Sequence, residues 1–223
     1  MHERNVRTAI AHAGVGFCLI LPTFLVRHIV PDPLDAKNAD DNYFNFSFPI
    51  AILHLASIVG AAAATFVIVI GVHFLSRDLP LLNFSSWLWL GTCLVLIIGG
   101  FVEMIALLEL GREPRLRRQL MVWRDHILLH GFPIPEGLAV IFMGLSIMFE
   151  LRRRAAEDQI ASELGSVFPM WMGLIAVLVG LTYLITSFLP SLTHEFVLAK
   201  FAYSIWGLFA GALLLRHHQS KKN

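Results

Sequence analysis

The stretch FSSWLWLGTCLVLIIGGFVEMIALLE, residues 84–109, decides the fold, because its only ionisable groups are Glu103 and the terminal Glu109. A bilayer core about 30 Å thick needs about 20 predominantly apolar residues in a helix. In lipid every backbone polar group must be satisfied internally, so such a run crosses as a helix. Five further runs of comparable character extend outward from it, over approximately 8–28, 48–74, 131–149, 167–189 and 196–215. The expected fold class is therefore all-α: a polytopic integral membrane protein with six transmembrane helices in one bundle. Residues 1–223 read as a single transmembrane domain.

Composition agrees. Hydrophobic residues make up 57% of the 223-residue chain and charged residues 15%, and the mean hydropathy is +0.69. A soluble domain is typically about 45–50% apolar and about a quarter charged. The net charge of +1 gives no surface for nucleic acid. Cys18 and Cys93 lie inside apolar runs and read as buried packing thiols. Arg4 and Arg7 precede an apolar stretch, as in a signal peptide, but Arg27, His28 and Pro31 follow it in place of a small-residue cleavage site. The first run is thus expected to be a retained helix.

Between the runs, 29–47 is an acidic loop with Asp32, Asp35, Asp40 and Asp41. Segment 112–127 interleaves five arginines with Leu116, Leu120, Val122, Trp123 and Ile127, a spacing suited to an interfacial amphipathic helix. Residues 152–154, three arginines, continue the fourth helix into water or end it there. With the N-terminus inside, nine lysines and arginines fall on internal segments and seven on external ones. The positive-inside rule then puts both termini in the cytoplasm of a plasma membrane, here a bacterial inner membrane.

Of the ionisable side chains within the runs, three carry the argument: His54, Glu103 and Lys200. At about 1.5 Å per residue they lie roughly 9, 9 and 6 Å from helix ends that emerge on one side of the membrane. Ser57 shares a face with His54, Tyr203 shares one with Lys200, and Thr182 lies near the same end of the fifth run. Small residues back all three ionisable groups, which turns them toward other helices. The expectation is one polar pocket in a single leaflet, holding His54, Glu103, Lys200, Ser57, Thr182 and Tyr203, with a Glu103–Lys200 pair at its centre. Two readings of it stay open. One is a structural ion pair near the interface with Lys200 snorkelling to water. The other is a site for a ligand, ion or proton, since charge at membrane depth is costly and leans functional.

Other groups are less telling. His126 and His130, at i and i+4, offer two metal ligands, and the sequence places no third. A b-type haem needs two axial histidines at matched depth, and His54 and His130 lie towards one side, with His130 at or beyond the boundary. Glu136, after Pro135, reads as a helix-start acid and a possible second acid of the pocket. No nucleophile elbow, phosphate loop or zinc-protease motif occurs. A lysine in the last helix invites a retinylidene reading, but six spans and a lysine one turn in do not fit it.

The segments Gly137-Leu-Ala-Val-Ile-Phe-Met-Gly144, Phe168-Pro-Met-Trp-Met-Gly173 and Gly180-Leu-Thr-Tyr-Leu-Ile185 resemble the bacterial six-helix membrane proteins grouped as the domain of unknown function DUF4386. The resemblance covers about 80 residues of the C-terminal third. It implies the six-helix architecture and no activity. The expected function is non-enzymatic: a pocket that binds or passes a small solute, ion or proton. The alternatives are a redox protein holding haem b or a quinone, and an accessory subunit docked on a larger membrane complex. The lipid bilayer is the expected partner, with a solute, an ion or another membrane protein beside it and no nucleic acid.

Overall fold

The computed structural model describes residues 2–29, 48–76, 78–108, 131–189 and 193–220, with scattered positions between 115 and 127. Helix α1 spans His2–Ile29, α2 Phe48–Leu75 and α3 Pro80–Leu108. Helix α4 starts at Pro133–Leu145, widens into a π-helical turn over Ser146–Glu150 and ends with Leu151–Arg154. A short α5, Gln159–Val167, leads to α6, Met170–Phe188, and α7, Thr193–Ser220. No strand occurs among the described residues. Six of these helices are long and apolar enough to cross a membrane, so this is a multi-pass, all-helical membrane protein.

Five of the six long helices extend beyond the apolar runs, and α6, Met170–Phe188, falls inside its run of 167–189. Apolar run length marks the hydrocarbon crossing, and the backbone continues hydrogen bonding into the headgroup layer. An element that the apolar runs do not announce is α5, in the linker after the fourth run. Asp158 starts it by accepting from the amides of Ile160 and Ala161, an N-cap arrangement. Its Ala161, Leu164 and Val167 are buried. Of 112–127, residues 115–116, 119–120 and 122–123 are helical, with Val122 and Trp123 well exposed. Ile127 is also described and is half-buried; the other residues of that segment, and the loop 30–47, lie outside the described residues.

Neighbouring contacts run α1–α2, α2–α3, α3–α4, α4–α6, α6–α7 and α7–α1, which closes the six long helices into a ring. Large aliphatic and aromatic side chains such as Phe66, Trp87, Ile98, Phe101, Trp171 and Phe209 point outward. Small and hydroxyl side chains turn inward, which lets helices pack closely where lipid gives no hydrophobic drive. The α4–α6 contact is made by glycines in pairs. A Cβ on Gly144 would meet the Gly173 carbonyl oxygen at 2.6 Å, and one on Gly173 would meet the Gly144 oxygen at 2.7 Å.

Aromatic rings fill the middle of the ring of helices. Phe17 of α1 stands edge-on to Trp89 of α3 and to Trp206 of α7, at centroid distances of 6.0 and 5.8 Å. Trp89 stacks on Tyr203 at 6.1 Å, and Tyr203 on Tyr183 of α6 at 6.2 Å. No open passage is needed to explain so many buried rings; they are the core that a six-helix ring requires.

Candidate functional site: a lysine in an aromatic cage

Lys200 lies in the second turn of α7, where its stem can reach inward toward the core. Its ammonium forms an ion pair with the Glu136 carboxylate of α4. This corrects the Glu103–Lys200 pair expected from the sequence. The reason is the order of the helices: α3 stands across the ring from α7, whereas α4 and α7 both flank α6. Glu136 sits in the first turn of α4, near the positive end of its dipole, and is only 3% exposed. Its side chain reaches Lys200 of α7, two places round the ring; the N-cap residue itself, Phe132, makes no side-chain capping bond.

Three ring faces enclose the same ammonium. Lys200 Nζ lies 4.3 Å from the Phe132 ring centroid, 4.8 Å from that of Tyr203 and 5.0 Å from that of Tyr183. Cations within about 6 Å of a ring centroid are attracted by its quadrupole, more strongly once desolvated. The hydroxyls of Tyr183 and Tyr203 are within electrostatic reach of the Glu136 carboxylate. The Tyr203 hydroxyl is buried and has no well-formed hydrogen bond among the described residues. Ser204 donates to the Lys200 carbonyl and ties the polar side chain to its own helix. Among the described residues, three aromatic faces and the Glu136 carboxylate surround the cation, with 12% of the lysine side chain still exposed.

The other expected pocket residues distribute differently. Glu103 is fully buried and engaged in interactions of its own. Gly100, one turn earlier, packs against Ile58 of α2, which turns that face of α3 toward α2 and the neighbourhood of Ser57. Ser57 is buried and likewise engaged. Thr182 faces outward and donates to Leu178 of its own helix, so it is not in the pocket; Thr186, one turn on, is the buried one. Tyr203 is in the cage, as its spacing from Lys200 required. His54 belongs to α2, but its side chain, like His126 and His130, lies outside the described residues. Among the described residues no three of His, Cys, Asp and Glu group as metal ligands.

Sequence reasoning missed Phe132, had Tyr183 at the right depth without assigning it to the pocket, and gave Glu136 a secondary place. The signal for Glu136 was present: an acid at the start of one span at the same depth as a lysine at the start of another. It also missed Glu150, at the opposite end of α4. Glu150 accepts hydrogen bonds from the amides of Leu81 and Leu82 and from Ser146 Oγ, closing the N-terminus of α3 from a neighbouring helix. That acid is fully occupied by structural work, whereas the Glu136 cage holds a cation on a flexible tether.

Comparison with family models, with curated proteins and with solved structures gives no match to this chain.

Proposed function

We propose that this chain is a non-enzymatic membrane protein that binds or passes a small cation or proton at Glu136, with Lys200 as the resident counter-charge. The observation that carries this reading is the buried Lys200–Glu136 pair itself. A pair taken out of water loses hydration that its mutual attraction only partly returns, and apolar side chains of similar volume often serve stability equally well. Ionisable groups at membrane depth are correspondingly associated with ion paths and ligand sites. The aromatic enclosure adds what a purely structural pair does not require.

In this reading the protein sits in a bacterial plasma membrane with both termini cytoplasmic, which places the Glu136 side toward the exterior. Proton movement follows from Glu136 alternating between Lys200 and an incoming proton or cation. The resemblance of the C-terminal third to DUF4386 proteins belongs to the same reading. Gly144, Gly173 and Gly180 of the quoted segments make the α4–α6 contact, and Tyr183 is a wall of the cage.

The test is flux in proteoliposomes loaded with a pH-sensitive dye. Wild-type protein is expected to dissipate an imposed proton or cation gradient, and Glu136→Gln and Lys200→Met to lose that activity. Equal flux in all three proteins overturns the reading. A Soret band in the purified protein would point instead to the haem alternative.

A further inference from the structure

A counter-ion for Glu136 needs only positive charge. What surrounds Lys200 does more than supply charge: Phe132, Tyr183 and Tyr203 present their faces to one ammonium from three helical segments. A metal cation holds its water and seeks oxygen ligands, and ring faces do not replace them. An organic ammonium, by contrast, is recognised by aromatic faces together with a carboxylate. The chemistry around Lys200 is that of an amine receptor whose occupant happens to be covalently attached.

The occupant can also leave. Glu136 and both tyrosines are buried almost completely, while Lys200 retains 12% exposure, so the lysine lies at the mouth of the cage. Lys200 lies in the second turn of α7, and a four-carbon stem lets the ammonium swing toward the nearby headgroup layer. Departure would leave Glu136, the three ring faces and the Tyr203 hydroxyl facing one space.

We propose that the Phe132–Tyr183–Tyr203–Glu136 cage is a binding site for small primary alkylammonium cations, which enter by displacing Lys200 from Glu136. This deepens the proposed function by naming the class of cation and rests on Glu136 being the acceptor. The tether sets the size: removal of Lys200 beyond Cβ deletes three methylenes and the nitrogen, the volume of n-propylammonium.

The experiment uses the full chain in detergent micelles. Thermal unfolding is followed while methylammonium or n-propylammonium chloride is titrated against sodium chloride at equal ionic strength. The wild type is expected to show saturable stabilisation. Lys200→Ala is expected to respond to n-propylammonium at a roughly tenfold lower concentration, because the competing resident has been removed. Glu136→Gln abolishes the saturable response, whereas Tyr203→Phe, which keeps the ring face, retains it and Tyr203→Leu weakens it several-fold. Should Lys200→Ala not fold without amine, refolding in the presence of n-propylammonium but not sodium chloride gives the same support. Absence of a saturable amine effect in the wild type overturns the proposal, as does an effect indifferent to Glu136→Gln. Proton flux that depends on Glu136 without any amine response rejects the amine receptor alone; loss of both rejects the parent reading as well.

Discussion

Removing one member of the Lys200–Glu136 pair should cost far more than removing both. Lys200→Met keeps the stem and its packing but leaves Glu136, 3% exposed, without its counter-ion. Breaking a buried pair in this way costs about 3–5 kcal/mol. Glu136→Gln leaves the ammonium over three rings, each worth about 0.5–2 kcal/mol, so its cost falls at the low end, about 3 kcal/mol. The double variant exchanges a charge pair for two neutral side chains and is expected within about 1 kcal/mol of the wild type. The coupling is then about 5 kcal/mol or more, above the range of about 0.5–3 kcal/mol usual for residues in contact. Reversible unfolding in mixed micelles with an anionic detergent measures it, with Trp89 and Trp206 of the core as fluorescent reporters. A parallel cycle of Lys200→Met with Glu103→Gln should be additive to about 0.5 kcal/mol. Additive costs for Lys200 with Glu136, or strong coupling of Lys200 with Glu103, would refute the assignment of the partner.

Other substitutions test the frame that positions the cage. Gly144→Ala drives a Cβ toward a backbone oxygen and the Ala176 methyl, neither of which can rotate aside, and should lower unfolding free energy by about 1–3 kcal/mol. Gly91→Ala, whose nearest neighbour is Pro135 Cβ at 3.7 Å, should be neutral or stabilising by up to about 1 kcal/mol in the same assay. Glu150→Ala removes the acceptor of the Leu81 and Leu82 amides; about 1–3 kcal/mol should be lost, and those two amides should exchange with deuterium faster than the rest of α3. Trp206→Phe deletes the indole donor to the Met172 carbonyl and should cost about 1 kcal/mol, read by the same unfolding titration.

The six crossings were legible because a bilayer imposes one length and one polarity on each of them, and residues 84–109 satisfy both without ambiguity. Depth was legible too: Lys200, Glu136 and Tyr183 lie at one end of their helices because a constant rise per residue orders them. Lateral neighbours were not. The choice between Glu103 and Glu136 depends on whether α3 or α4 stands nearer α7, and periodicity within single helices contains no information on the order of helices around a ring. Thr182 illustrates the same gap, since its neighbour Tyr183 takes the inward direction and leaves the threonine on the outer face. Phe132 was hidden for a different reason: a phenylalanine at the start of the apolar run 131–149 reads as one more apolar side chain, and nothing in the sequence aims its ring at Lys200. Helix α5 escaped because a short amphipathic helix leaves little hydropathy signal, although Asp158 was a helix-start residue in plain view.

The distance between Lys200 Nζ and the Glu136 side-chain carboxyl carbon, measured by dipolar recoupling on selectively labelled protein in lipid bilayers, goes to the heart of the matter. Direct charge-assisted hydrogen bonding requires about 3–4 Å between those two atoms, and saturating methylammonium is expected to lengthen it. A separation above about 6 Å without amine, too far for a direct N–H···O contact, would contradict the account; so would a short separation that methylammonium leaves unchanged.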